Sequence, residues 1–458
     1  MNKGMPAMMQ TNPASYRDPD GFVFRHGDKV YRFISRRYEP VYRQLMDSGL
    51  YEQLVAAGML LAHQDAGISP DKEWQGRVIE PRQLSFISYP YEWSFDMWKD
   101  AALLTLDIAL LALDKGMTLK DATPFNVQFE QGRPLFIDTL SLALYDPAKP
   151  WAAYRQFCEC LLGPLLLQHY GHPDANRIFT VYPNGIPLSV LVKMLPARSR
   201  WSMNVNLHIY LQEKIARDSF TRTRPKAVSF SRQKFENILK GLKGFVKKLG
   251  APASKTTWQD YYTTGILGPA YLEAKTAMVR EWTKSLPVKT VIDLGANDGH
   301  FSRLFSDKQV VALDADGNCI NQLYAQVKKE KLPILPLHID LLAPSPAIGW
   351  NNRERESITE RLRADLALAL ALVHHLAISA NLPLPLIATW LQPVSTYLLI
   401  EFVPKDDERL QFLLHNREDI FDAYTLENFR AAFGSYYETL QEATIPHSQR
   451  VLFLLKRK

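Results

Sequence analysis

Residues 291–305 read Val-Ile-Asp-Leu-Gly-Ala-Asn-Asp-Gly-His-Phe-Ser-Arg-Leu-Phe: an apolar strand, an acid-headed glycine turn and the start of a helix. Gly295 and Gly299 let the backbone turn tightly and approach a ligand closely, and Asn297 is among the few non-glycine residues that tolerate positive φ between them. The spacing discriminates among nucleotide-type turns. A dinucleotide loop reads G-x-G-x-x-G and aims a helix N-terminus at an anionic pyrophosphate. Here Asp293 and Asp298 stand beside the glycines, and two carboxylates repel such a group. The turn suits a ligand that carries positive charge.

Further acids follow at strand ends. Asp314 closes the run Val310–Asp314, 21 positions after Asp293, and an acid about 20 residues on, at the tip of the second strand, accepts ribose hydroxyls. Asp316 is a weaker candidate, because the chain has by then left the strand. Asp340 follows the run from Leu332 to Ile339. Leu366 to Val373 is continuously apolar, which suits a central parallel strand buried on both faces. Asp365 opens that run, and His374 and His375 close it, each either facing substrate or buried against a backbone carbonyl. The run from Thr396 gives a fifth strand with Glu401 at its carboxyl end, outside which ligands bind in open α/β sheets. Glu401 is a candidate base or substrate anchor, with a structural ion pair as the alternative. Two strand-like runs about Pro446 to Ser448 predict a closing antiparallel hairpin.

In order, these features resemble the class I methyltransferases: the glycine turn is similar to their first motif, with Asn297 at its middle glycine, and Asp365 to Leu376 resembles the "D…HHL" pattern of the small-molecule members. The resemblance implies a Rossmann-like seven-stranded sheet, S-adenosylmethionine as cofactor, and no metal. It implies that Asp293, Gly295, Asn297 and Gly299 hold the methionine end, Asp314 the ribose and Asp340 the adenine. His374, His375 or Glu401 would take a proton from the acceptor. Gly349 and Trp350 are candidates for a lid or substrate wall, with an ordinary packed tryptophan as the alternative, and Trp258 to Tyr262 for a cover over the cofactor. Neither an Asn-Pro-Pro-Tyr motif nor a Pro-Cys nucleophile occurs, which favours a small molecule or a protein over nucleic acid as acceptor.

The first 210 residues are punctuated differently. Gly21 to Ile34 reads as a hairpin about Gly27 and Asp28, followed by a helix across 39–63 and a long apolar helix across 95–115. Asp121 then precedes Asn126 by five positions, and Asp138 follows Asn126 by twelve, across a short hairpin. This is close to the catalytic-loop and metal-acid spacing of kinase-like phosphotransferases. Leu119 and Lys120 replace the usual His and Arg or Gly, Thr139 and Leu140 replace Phe and Gly, and no Val-Ala-Ile-Lys strand is present. The expectation is an α+β domain without phosphotransfer, which either has a kinase-like scaffold or carries Asp121 as a turn or cap residue and Asn126 as the close of a hairpin, and which binds or positions the acceptor or packs against the catalytic domain. The whole chain from residue 16 also resembles a bacterial group of two-part class I methyltransferases related to nodulation proteins. The stretches Asp121–Phe129, Gly132–Asp138, Ser345–Trp350 and Glu401–Asp407 carry that resemblance.

At 458 residues, two domains of ordinary size are expected, with boundaries at 1–213, 214–257 and 258–458. The middle stretch is basic: 11 Lys and Arg between Lys214 and Lys248 face Asp218 and Glu236, a local net of +9 in a chain whose total is +6. It reads as a linker and an amphipathic helix, solvated or turned toward an acidic partner or surface. Three cysteines form no disulfide framework, and the C-x-C at Cys158 and Cys160 lacks partners for a zinc site. With no signal-like apolar stretch at the start and no 18-residue apolar run, the chain reads as soluble and cytoplasmic. A kinase-like phosphotransferase with an accessory cofactor domain, and a non-catalytic S-adenosylmethionine-binding scaffold, are the rival readings.

Overall fold

The structure is a computed structural model that describes residues 10–68, 75–219, 231–252, 268–415 and 418–458. Trp258–Tyr262 and the Thr221–Lys226 part of the basic stretch lie outside the described residues. The chain divides into two compact units, Met1–Ala253 with Pro346–Glu356, and Ser254–Ser345 with Ser357–Lys458.

In the first unit, β1 (Gln10–Thr11), β2 (Gly21–His26), β3 (Lys29–Ser35), β4 (His63–Asp65) and β5 (Gly76–Pro81) form a five-stranded antiparallel sheet in the order β1-β2-β3-β5-β4. Gly27, with φ +62°, turns the expected β2–β3 hairpin. The helix expected across 39–63 is two helices, Glu39–Asp47 and Leu50–Ala56, parted at Gly49 with φ +73°. The Phe95–Asp114 helix is as expected; apolar on most of its circumference, it is buried among Trp93, Leu161 and Phe179. It leads into β6 (Met117–Leu119), the hairpin β7 (Val127–Glu130) and β8 (Arg133–Phe136), and β9 (Leu142–Leu144), which pairs back on β6.

The basic Arg232–Lys248 helix belongs to this unit. Phe235, Leu239, Leu242, Phe245 and Val246 are buried, and Lys243 and Arg232 pair with Asp107 and Asp114 of the Phe95–Asp114 helix. Its apolar stripe therefore decides its placement, and part of its charge is matched internally. Pro346–Glu356 also packs here. Glu354 accepts from Tyr16 Oη at 2.7 Å and Arg17 at 2.6 Å, and Arg355 lies 4.4 Å over the Phe125 ring. Trp350 is 76% exposed, so it is not an ordinary packed tryptophan.

The second unit is one seven-stranded sheet. It comprises β10 (Thr290–Leu294), β11 (Gln309–Asp314), β12 (Ile334–His338), β13 (Ala364–Ala369), β14 (Ser395–Phe402), β15 (Tyr437–Thr444) and β16 (Val451–Arg457). Their order is β12-β11-β10-β13-β14-β16-β15; β10 to β14 are parallel, and β16 runs antiparallel to both its neighbours. The predicted closing hairpin is thus in place. Val291, Leu366, Leu368, Leu399, Leu452 and Leu454 share one buried core with Val279 of the Pro269–Thr283 helix. The order reverses between β10 and β13, so a crevice opens at their carboxyl ends. The apolar run predicted to continue to Val373 stops as a strand at Ala369. Ala371 takes φ +52°, and a short helical segment, His375–Ser379, follows. No helix among the described residues is long and apolar enough to cross a membrane.

Candidate active site

The glycine turn leaves β10 with Gly295 at φ +79°, Asn297 at φ +52° and Gly299 at φ +80°. The two glycines are required for different reasons. A Cβ on Gly299 would lie 2.4 Å from Leu323 Cδ1, whereas one on Gly295 would meet Leu372 Cδ1 at 3.5 Å, an ordinary contact. Gly299 seats the turn on the core. Gly295 is needed for its backbone conformation and for whatever approaches it.

The amides of this turn are engaged within the protein. Gly295 N and Ala296 N donate to Leu313 O at 2.9 Å, Asn297 N to Asp314 Oδ2 at 2.8 Å, Gly299 N to Ala296 O at 2.9 Å, and His300 N to Asp298 Oδ1 at 3.1 Å. An anion-binding turn presents such groups to its ligand; this one spends them on holding its own shape. The polar groups left around it are carboxylates. Asp293, on β10, is 3% exposed and accepts from Ser302 Oγ at 2.6 Å. Burial lifts its carboxyl to about 6, against the opposing pull of Ser302. Asp314 ends β11, accepts from Asn297 N and Asp316 N at 2.8 Å each, and is raised by burial. Asp316 caps the Gly317–Glu330 helix through Oδ1, while its Oδ2 is buried with no hydrogen-bond partner among the described residues. Asp340 stands just past β12 and accepts from Leu342 N at 2.9 Å. Carboxylates with engaged amides behind them, and one orphaned carboxylate oxygen, fit a cationic ligand and not a pyrophosphate.

His374 and His375 follow the turn after β13, with ring centroids 4.1 Å apart. Burial lowers both, His374 well below its usual value and His375 to about 4, so both rings are neutral at pH 7. His374 Nδ1 is buried without a partner among the described residues, so the backbone carbonyl expected of a purely structural histidine is missing at that atom. Glu401 is placed otherwise. It is fully buried, accepting from Tyr271 Oη at 2.6 Å, Lys275 Nζ at 2.5 Å, Ala371 N at 2.9 Å and Arg450 Nη1 at 3.3 Å. Burial alone would raise it, but Lys275 and Arg450 hold the carboxyl down at about 2. These surroundings match the ion-pair alternative. Arg450 is held in turn by Asp407, at 2.7 Å and 3.0 Å. Asp365 lies at the amino end of β13, tied to Lys289 N and to Thr290, away from the crevice.

Tyr271, Lys275 and Arg450 were missed by the sequence reading. The first two had a signal: Tyr271, Lys275 and Val279 share one buried face at helical spacing, and a lysine on such a face requires a buried acid.

In the first unit, Asp138 is paired with Arg32 of β3, bonded to Ser141 Oγ, and accepts from Leu140 N at 3.3 Å. Asn126 Nδ2 donates to the same Ser141 Oγ at 2.9 Å, and Asp121 accepts from Thr123 N and Gln156 Nε2. Asp121, Asn126 and Asp138 are brought to one region, and Asp138 is paired with an internal arginine. Cys158 and Cys160 are buried apart from any bridge, and burial pushes the Cys158 thiol up to about 12.

A parallel sheet that reverses at its first strand, closes with an antiparallel strand inserted before the last, and carries acids at the ends of its first three strands has the class I methyltransferase fold. No protein-family model matches the chain. Nodulation protein NoeA of Rhizobium meliloti (strain 1021) is 34% identical over 455 residues, which cover 97% of this chain and 95% of that protein. The chain belongs to the family of that nodulation protein. Among solved structures, the N-methyltransferase NodS from Bradyrhizobium japonicum, in complex with S-adenosyl-L-homocysteine, matches 43% of this chain and 96% of its own at 12% identity and TM-score 0.32. The bifunctional kinase-methyltransferase WbdD matches 46% of this chain and 45% of its own at 15% identity and TM-score 0.31.

Proposed function

We propose that the second unit binds S-adenosylmethionine and transfers its methyl group to an acceptor that is a small molecule or a protein. The observation that carries this reading is the crevice at β10, β11 and β12, where the turn's amides are engaged internally and carboxylates stand at the strand ends. Asp293, with the backbone of Gly295, Asn297 and Gly299, would hold the cationic methionine end; Asp314 would accept from the ribose and Asp340 from the adenine amino group. When bound, the cofactor supplies an electrophilic methyl group on a sulfonium. The chain's part in an in-line displacement is to fix the two reactants and exclude water. Leu372, against Gly295, supplies apolar wall. His375 and His374, neutral at pH 7, are the groups available to take a proton from an oxygen or nitrogen nucleophile.

Calorimetry on the full chain tests the reading. S-adenosylmethionine and S-adenosylhomocysteine bind, and NAD does not; NAD binding in their place overturns the assignment. Labelled S-adenosylmethionine with cell extract, followed by mass identification of the product, then gives the acceptor. Binding with no transfer to any extract would make the unit a non-catalytic scaffold.

A further inference from the structure

Glu401 stands at a strand's carboxyl end, beside the crevice, yet all the space around it is taken by donors. Two of these, Tyr271 and Lys275, come from the Pro269–Thr283 helix, and a third, Arg450, comes from the residue before β16. The fourth is different in kind. Glu401 Oε2 accepts from Ala371 N at 2.9 Å, and Ala371 is in the left-handed region with φ +52°, a conformation an alanine adopts only when its surroundings impose it. The next residue, Leu372, lies where a Cβ on Gly295 would touch it at 3.5 Å. Leu372 O in turn accepts from His375 N at 2.9 Å and Leu376 N at 3.2 Å, which starts the segment that carries the second histidine. A chain of bonded contacts thus runs from the buried carboxylate through one strained residue to both the wall of the glycine turn and the histidine pair.

We propose that Glu401 is a positioning residue: anchored by Lys275, Arg450 and Tyr271, it holds Ala371 in its left-handed turn and thereby sets Leu372 against Gly295 and fixes the backbone of His374 and His375. This rests on the methyltransferase reading for its functional meaning, but not for its geometry. The three side-chain donors make the carboxylate immobile, and the amide of Ala371 is the group that this immobility serves. An ion pair that acted only as a core fastener would have no reason to spend an acceptor on a strained backbone amide.

The test is a double-substitution cycle in the full chain. Glu401→Gln keeps the size of the side chain but removes its charge, and is expected to weaken S-adenosylhomocysteine binding tenfold or more. Ala371→Gly adopts the left-handed turn without strain, so in its background the same Glu401→Gln substitution is expected to cost threefold or less. An equal loss in both backgrounds, or no loss in either, overturns the proposal. Ring signals of ¹³C-labelled His374 and His375 are recorded on the ligand-free proteins, and are expected to move in Glu401→Gln and to stay in place in Ala371→Gly and in the double variant. If Glu401→Gln alone does not fold, the double variant decides: the proposal expects it to fold with unmoved histidine signals, and a double variant that also fails to fold, or whose signals move, overturns the proposal. If the unsubstituted chain binds no S-adenosylhomocysteine, the functional reading fails, and the ligand-free histidine signals still judge the positioning role.

Discussion

Asp314 offers the sharpest perturbation, because the structure gives it a measurable task apart from any ligand. Its two oxygens each accept one backbone amide at 2.8 Å, Oδ2 from Asn297 in the glycine turn and Oδ1 from Asp316 at the head of the Gly317–Glu330 helix. A hydrogen bond to a charged group contributes about 1.5–3 kcal/mol, and water entering at the partly exposed rim recovers some of that after truncation. Asp314→Ala should therefore loosen the turn by about 2–4 kcal/mol. Asp314→Asn should be no milder, since its amide NH₂ must face one of the two N–H groups, donor against donor. Hydrogen exchange followed on peptides spanning 293–300 reads this directly. At 1.4 kcal/mol per tenfold, protection should fall by roughly 30-fold to 700-fold in both variants. S-adenosylhomocysteine affinity should fall by at least as much, since the ribose contact goes as well. An Asp314→Asn variant with unsubstituted protection and affinity would refute both the donor argument and the placement of Asp314 in the site. The full chain is the material to use, because Pro346–Glu356 packs with Tyr16, Arg17 and Phe125 and would be left bare in a fragment of the second half.

The remaining predictions concern three other places. Gly295→Ala should cost about 1–3 kcal/mol of backbone strain, and Gly299→Ala about 1–3 kcal/mol more for displacing buried Leu323. Denaturant unfolding of the second unit checks the order, equal costs contradict it, and Gly295→Val should abolish cofactor binding while the first unit stays folded. For Asp293, a folded pKa of about 6 lies above the unfolded value, so its contribution to stability is full below the unfolded pKa and lost as pH rises through 6. The stability gap to Asp293→Asn should change by up to about 3 kcal/mol over that window, and affinity for a cationic ligand should rise through pH 6 as the carboxyl ionises. A flat affinity profile would remove Asp293 from the cation site. Neither Asp121→Ala nor Asp138→Ala should abolish an ATP-dependent transfer, because Arg32 already occupies the carboxylate that magnesium would need. A magnesium-dependent transfer that vanishes in Asp138→Ala would reverse this judgement.

Much of the second unit was legible because its physics is local. A strand buried on both faces must be apolar along its length, and the acids of the site stand where such a run ends, as Asp293, Asp314 and Asp340 do. The errors arose where a distant residue decides the local conformation. Nothing in Leu366–Val373 tells a reader that the strand ends at Ala369, because alanine at φ +52° is imposed by a carboxylate 30 positions later. The charge of the basic helix leaves its surroundings open, whereas Phe235, Leu239, Leu242 and Phe245 mark the face that needs burial but not what covers it. The packing of Arg355 over Phe125 joins residues 230 positions apart and has no local signature at all.

The carboxylates at strand ends show what sequence position alone leaves open. Asp293, Asp314, Asp365 and Glu401 look alike in the sequence: each is an acid at the edge of an apolar run. A carboxylate offers about four acceptor sites, and counting the donors around each one separates them. Glu401 has four donors, two of them cations, so no capacity remains for a ligand. Asp365 is spent on Thr290 and Lys289 at the closed end of the sheet. Asp293 accepts one hydrogen bond in a site where burial raises it to about 6, so its ionised form is held at a cost that a cation would offset. That unmet demand, together with the buried Oδ2 of Asp316 that has no hydrogen-bond partner among the described residues, is the physical reason to look for a positively charged ligand between β10 and β11. The saturated Glu401 is by the same reasoning the reason to treat β14 as the part of the sheet that holds the crevice in shape.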